Sequence, residues 1–188
     1  MEEKHLARAK KKSRQQGRTI VFLDESGLSQ KPHRVRTWAP KGQTPVLEFD
    51  FTWKNLSVIA GLTLWRFYFR LHPGPIKSAQ VIEFLQHLQR HVRGRLLVIW
   101  DGAMIHRSRA VRDYLDGLKG KIWAETLPAY APELNPAEYI WGHLKQHELP
   151  NLCAQDVSQL GWHGRAALRR MRRRPKLITA FWKQAELF

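Results

Sequence analysis

Three carboxylates stand where they could hold cations for phosphoryl chemistry. Asp24 follows the apolar run Thr19-Ile20-Val21-Phe22-Leu23, Asp101 follows Leu96-Leu97-Val98-Ile99-Trp100, and Glu138 lies just after Asn135-Pro136. Apolar runs bounded by polar and glycine residues read as strands buried on both faces. The ends of such strands, with the adjoining helix starts, are where open α/β sheets build their sites, so the three side chains are expected to converge. Acids gathered at the end of an apolar sheet repel one another unless a cation binds there. An all-oxygen donor set selects Mg²⁺ or Mn²⁺ over zinc. Two such ions are a recurrent means of displacement at a phosphodiester: one polarises an attacking water or 3′-hydroxyl, the other stabilises the leaving oxygen.

Each acid also has a plainer role open to it. An Asp at a strand end is commonly a turn former or cap. Asn-x-x-Glu is also capping-box spacing, in which the Glu side chain reaches back to the cap amide. Asn135 precedes a proline and so has backbone suited to an N-cap, with Pro136 at the first helical position. That places Glu138 in the first helical turn, near the positive end of the helix dipole. Trp141 and Lys145 follow on the same side. Trp141 reads as core packing against the sheet, with base stacking the less common use.

The elements that must position these acids can be read along the chain. The first strand spans Thr19–Leu23, and hairpin-rich sequence follows, with short strands expected at Val35–Trp38 and Pro45–Phe49. Further strands are expected at Asn55–Leu64 and Trp65–Leu71. Ser78 can cap a helix to about Arg93, whose residues Val81, Ile82, Phe84, Leu85, Leu88 and Val92 form one stripe. A strand at Arg95–Trp100, a helix at Ser108–Leu118 and a strand at Ile122–Leu127 lead into a proline-rich turn and a helix from Pro136 to about Glu148. The tail from Asp156 to Phe188 reads as helical, with Ile178, Phe181, Trp182, Ala185 and Leu187 as a docking face. The fold class expected is α/β: a mixed sheet, antiparallel hairpins then parallel strands, flanked by helices. Three divisions follow: a basic arm or connector over 1–18, a catalytic domain over 19–150, and a basic helical tail over 151–188 packed on the same domain.

Charge points to the partner. Thirty-two Lys and Arg against 16 Asp and Glu leave +16, with a pI near 10.6. That much unbalanced charge repels itself unless a polyanion is the usual partner, with nucleic acid first and an anionic membrane surface second. No apolar run approaches a membrane span, and the charged N-terminus lacks a signal-peptide core. A single cysteine, Cys153, excludes an internal disulfide and a cysteine-based zinc site. Arg165, Arg169, Arg170, Arg172, Arg173, Arg174 and Lys176 carry no acid among them and read as a phosphate-contacting surface, or else as a solvated face. His106, five residues after Asp101, is expected to touch DNA phosphate or water near the site, or to serve as a helix-start or packing histidine. Lys145 joins the expected DNA-contacting set. Glu25 should point away from Asp24, because adjacent strand residues face opposite sides.

Three segments together resemble a known family: Phe22-Leu23-Asp24-Glu25-Ser26-Gly27, Val98-Ile99-Trp100-Asp101-Gly102-Ala103-Met104-Ile105-His106, and Pro128-Ala129-Tyr130-Ala131-Pro132-Glu133-Leu134-Asn135-Pro136-Ala137-Glu138-Tyr139-Ile140-Trp141. They resemble the DDE catalytic domain of mariner-type transposases, in the bacterial insertion-sequence branch. Between Asp101 and Glu138 lie 36 residues (138 − 101 − 1), within that branch's short range. The resemblance implies a ribonuclease-H-like fold in which Asp24, Asp101 and Glu138 are catalytic and hold two Mg²⁺ (or Mn²⁺) ions. It also implies metal-dependent cleavage of double-stranded DNA at transposon terminal inverted repeats and strand transfer to a target, typically TA. A homodimer would bring two ends together, in a cytoplasmic, nucleoid-associated setting. Nothing before Thr19 is long enough for the family's helix-turn-helix region, so a separate chain, a frameshift-fused upstream frame or a truncated copy is expected. The alternatives are a ribonuclease-H-like nuclease or resolvase without strand transfer, and a non-catalytic DNA-binding remnant.

Overall fold

β-branched and apolar runs set the sheet, and helical stripes of apolar residues cover it. The computed structural model describes residues 11, 15–49, 55–128 and 134–185. The strands are β1 (Thr19–Leu28), β2 (Leu56–Leu62), β3 (Phe67–Pro73), β4 (Leu96–Trp100) and β5 (Ile122–Thr126), in the order β3-β2-β1-β4-β5. β1, β2 and β3 pair antiparallel, whereas β4 runs parallel to both β1 and β5. Parallel neighbours need crossovers, supplied by α1 (Ser78–His91) before β4 and α2 (Arg109–Gly117) before β5. Then come α3 (Glu138–His143), a π turn (Leu144–Glu148), α4 (Val157–Arg172) and α5 (Pro175–Gln184). No helix among the described residues is long and apolar enough to cross a membrane.

Period-two alternation divides the core between the two faces of the sheet. Phe22, Leu97 and Ile99 face one side, with Ile140 and Trp141 of α3, Leu160, Leu168 and Met171 of α4, and Phe181 and Trp182 of α5. Val21, Leu23, Val98 and Trp100 face the other, with Phe84 and Leu88 of α1 and Val111 of α2. Gly61 lets α1 approach, since a Cβ there would lie 3.0 Å from Val21 and 3.3 Å from both Phe84 and Leu88. In α5, Trp182 packs edge-on against Phe22 and donates its Nε1–H to the Thr63 carbonyl at 2.9 Å. Leu187 and most of the N-terminal arm lie outside the described residues, as does the proline-rich turn at 129–133.

Several boundaries differ from the sequence reading. The expected strands at Val35–Trp38 and Pro45–Phe49 do not form. Prolines 32, 40 and 45 interrupt that segment, and no strand among the described residues pairs with it. It is held at its base instead, where Asn151 exchanges two side-chain hydrogen bonds with the backbone of Val35 and donates its own amide to the His33 carbonyl. β1 continues four residues past Asp24, to Leu28, because β2 still pairs with it there. Lys77 rather than Ser78 caps α1, its amide donating to the Gln80 side chain.

Candidate active site

The strand register brings the two aspartates together. The parallel ladder between β1 and β4 ends at Phe22 opposite Ile99. Asp24 and Asp101 each lie two residues further on (22 + 2 and 99 + 2), so they occupy equivalent positions just past the last rung. By alternation both belong to the Phe22 and Ile99 face, the one covered by α3. Asp24 is buried within the sheet, its Cα opposite Ala60, whereas Asp101 ends β4 with its side chain about half exposed.

Glu138 is delivered to the same face by a turn. The Asn135 side chain accepts from the Ala137 amide, and the Asn135 carbonyl accepts from Glu138. Asn135 therefore fixes the turn, but the helix starts two residues later than Pro136, with Glu138 as its first residue and Ala137 at the cap. The Asn135 amide makes no capping-box bond to the Glu138 carboxylate among the described residues, and Glu138 stands exposed at the helix start.

Glu138 is electrostatically linked to both aspartates. Burial, then Glu138, push Asp24 up to about 7 against the opposing hydrogen bond from Trp141. Burial also raises Glu138, with Lys145 opposing and Asp101 adding to the rise. Asp101 moves the other way, lowered first by its hydrogen bond from His106.

Three neighbours hold these groups. Trp141 is core packing, as expected, and also donates Nε1–H to Asp24 Oδ2 at 2.7 Å. An indole is a donor only, so a buried one beside a site needs an acceptor, a signal carried by the residue type itself. Lys145 reaches Ser26 Oγ at 3.0 Å, within the field of Glu138. It borders a cleft of about 230 Å³ with Gly27, Lys31 and His33. His106, expected to touch DNA, is instead 3% exposed and turned inward, with a carboxylate at each ring nitrogen: Asp101 at 3.0 Å and Glu25 at 3.1 Å. Burial opposes its charge, yet the two carboxylates push it up to about 9. Glu25 meets it on the side of the sheet away from Asp24, as strand alternation requires.

The basic tail is a separate region. Arg165, Arg169 and Arg173 are exposed on α4 and at its end. Arg170 and Arg174, expected to lack internal partners, both bind the buried Glu148, at 2.8 and 3.0 Å. That acid lies in the preceding π turn, outside the basic stretch itself. Arg172 lies over the Phe69 ring, 5.7 Å from its centroid.

The donors suit a hard divalent cation. Asp24 and Glu138 are each raised by burial and by a neighbouring acid, the state that a nearby cation relieves. The fit is one of donor chemistry rather than of a preformed cage: among the described residues no three His, Cys, Asp or Glu already stand at metal-ligand spacing.

The family signature of the DDE superfamily endonucleases matches residues 19–161, spanning all three acids. The chain belongs to that family. Its solved relatives in fold include the Mos1 transposase paired-end complex with left transposon end, at 23% identity and TM-score 0.70, with 98% of this chain and 56% of that chain covered. The Mos1 strand transfer complex matches at 22% and 0.70, with 98% and 56% covered. The Mos1 mariner paired-end complex with Mn matches at 22% and 0.70, with 98% and 57% covered. This DDE-family chain thus spans somewhat over half the length of the transposase chains it matches, and its mixed sheet with flanking helices is their ribonuclease-H-like catalytic fold. No curated protein sequence matches it.

Proposed function

We propose that this chain is the catalytic portion of a transposase that cleaves DNA strands at transposon ends and joins them to target DNA. The observation that carries this reading is the register: Asp24 and Asp101 fall level just past the last parallel rung, with Glu138 in their field. Asp24, Asp101 and Glu138 are the residues that would hold divalent metal, with one or two Mg²⁺ or Mn²⁺ ions polarising the nucleophile and neutralising charge on the leaving oxygen when bound.

The chain's own groups do the rest. Trp141 holds Asp24 by one oxygen, and Lys145 offsets the charge of Glu138 while bordering the basic cleft. The nucleophile is water in cleavage and a DNA 3′-hydroxyl in strand transfer, so no covalent enzyme intermediate is needed. The +16 net charge supports a polyanionic substrate. Terminal inverted repeats, a TA target, a homodimer around two ends, a helix-turn-helix region supplied upstream or by another chain, and a cytoplasmic, nucleoid-associated setting belong to the same proposal and rest on the family resemblance.

The test is strand transfer by the purified chain, with Mg²⁺ or Mn²⁺ and a pre-cleaved transposon-end duplex, comparing wild type with Asp101→Asn. Joining that disappears in the variant supports the proposal. Nicking without joining indicates a nuclease or resolvase, and binding alone indicates a remnant.

A further inference from the structure

We propose that His106, bridged to Glu25 and Asp101, is a positioning residue that sets the Asp101 carboxylate for metal and locks β1 to β4 beyond the end of their backbone ladder. This rests on the metal reading above and adds to it a residue pair outside the acid triad.

The backbone ladder stops short of both aspartates. Past Phe22 and Ile99, β1 and β4 exchange no further ladder hydrogen bonds, yet Asp24 and Asp101 lie past that point. β1 is steadied there by β2, and β5 holds β4 as far as Trp100, whose carbonyl accepts from the Leu127 amide at 2.7 Å. The Asp101 carboxylate just beyond depends on side-chain contacts. One comes from its own loop, where the Ala103 amide donates to Asp101 Oδ1 at 2.9 Å. The other crosses strands. His106 Nδ1 reaches the same oxygen at 3.0 Å, and Nε2 reaches Glu25 Oε1 at 3.1 Å. Since Glu25 adjoins Asp24 on β1, the imidazole acts as a side-chain rung at the level of the two aspartates. Asp101 Oδ2 stays outside these bonds, available to a cation.

The ring itself has little room to move. It lies flat on Trp100, with centroids 4.5 Å apart and planes within 6°, and is almost fully buried. With a carboxylate at each nitrogen, both nitrogens must donate. Groups that orient a metal ligand in this way typically change metal affinity 10–100-fold when removed.

The test uses Mn²⁺ as the probe, titrated calorimetrically into the full chain, with ring-nitrogen NMR on the metal-free protein. The ring nitrogens should report both carboxylate contacts in the wild type, and Glu25→Ala should release the one at Nε2. His106→Ala should bind Mn²⁺ roughly 10- to 100-fold more weakly. His106→Asn, whose amide can stand in for Nδ1, should recover most of that loss while remaining unlinked to Glu25. Unchanged Mn²⁺ affinity in folded His106→Ala, or in Glu25→Ala should the His106 variant not fold, overturns the proposal. So does His106→Asn as weak as His106→Ala, which would reduce the ring to packing on Trp100. A wild-type chain that takes up no Mn²⁺ overturns the metal reading and this proposal together; normal wild-type uptake with unaffected variants overturns this proposal alone.

Discussion

The acidic site and the basic tail hold like charge in opposite ways. At the site, strand register levels two aspartates and a turn adds Glu138 to their field, and two of the three acids are driven towards their neutral forms. On the tail, Arg165, Arg169 and Arg173 lie exposed on a helix, while Arg170 and Arg174 share the single carboxylate of Glu148. Crowded, desolvated like charge costs folding free energy and is retained where a ligand offsets it. Spread, solvated charge costs little and acts at long range. The two regions should therefore respond oppositely to neutralisation: the site loses function and gains stability, while the exposed tail loses DNA affinity with stability unchanged.

The largest effect should come from the aspartates. Replacing either with asparagine should lower cleavage by about 10³-fold or more, since metal-assisted charge stabilisation is worth several kcal/mol. The same Asp24→Asn change should raise the Tm of metal-free protein at pH 8. The sign follows from linkage. Asp24 titrates near 7 folded and near 3.8 unfolded, so between those values the folded state binds more protons. The destabilisation from its ionisation therefore grows as pH rises from about 4 to 7 and is complete above that. His106 acts over a higher window. Its folded value near 9 exceeds its unfolded 6.5, so its contribution is full below 6.5 and is lost as pH rises towards 9. Metal-free wild type should thus melt higher at pH 5.5 than at pH 8.5, and Mn²⁺ should raise Tm more at the higher pH. Thermal scans at both values check this; a Tm that climbs between them contradicts it.

A smaller effect is expected at Trp141. Trp141→Phe keeps an aromatic ring in the core but removes the donor to Asp24 Oδ2. A hydrogen bond to a charged group is worth about 1.5–3 kcal/mol, so Asp24 should titrate higher still and cleavage at pH 7 should fall by roughly 10- to 100-fold. Part of the loss should return at pH 8.5, where Asp24 ionises without help. A pH–rate profile that keeps its wild-type shape would limit Trp141 to packing.

How much of this was legible follows from the range of each interaction. β1 and β4 were readable as buried strands because local composition determines them, and from two such strands the meeting of Asp24 and Asp101 follows. The extent of β1 was not, since pairing with β2, some thirty residues on, carries it past Asp24. The same dependence misled at Val35–Trp38, where no strand among the described residues pairs with the strand-like sequence. Trp141 to Asp24 spans 117 residues and His106 to Glu25 spans 81, so no local pattern could pair them. Their chemistry gave partial notice: a buried donor-only indole, and a glutamate that alternation turns away from its neighbour. Glu148 was visible but assigned to a helix end, apart from the arginines it binds.

The tail gives the smallest effect and the finest division. Seven basic residues looked equivalent in sequence, but Glu148 separates them. Replacing Arg165, Arg169 and Arg173 with glutamine should reduce the slope of log binding constant against log salt by about 0.9 for each phosphate no longer neutralised, with Tm unchanged. Arg170→Gln should do the reverse. It withdraws a partner from a Glu148 side chain only 6% exposed, leaving Arg174 as the remaining close cation, so it should cost stability of about 1 kcal/mol while changing the slope less. Glu148→Gln then separates charge from shape, because releasing both arginines should steepen the salt dependence even as the fold weakens. A slope indifferent to the exposed trio but sensitive to Arg170 would place the DNA surface on the Glu148 side of α4 rather than on its open face.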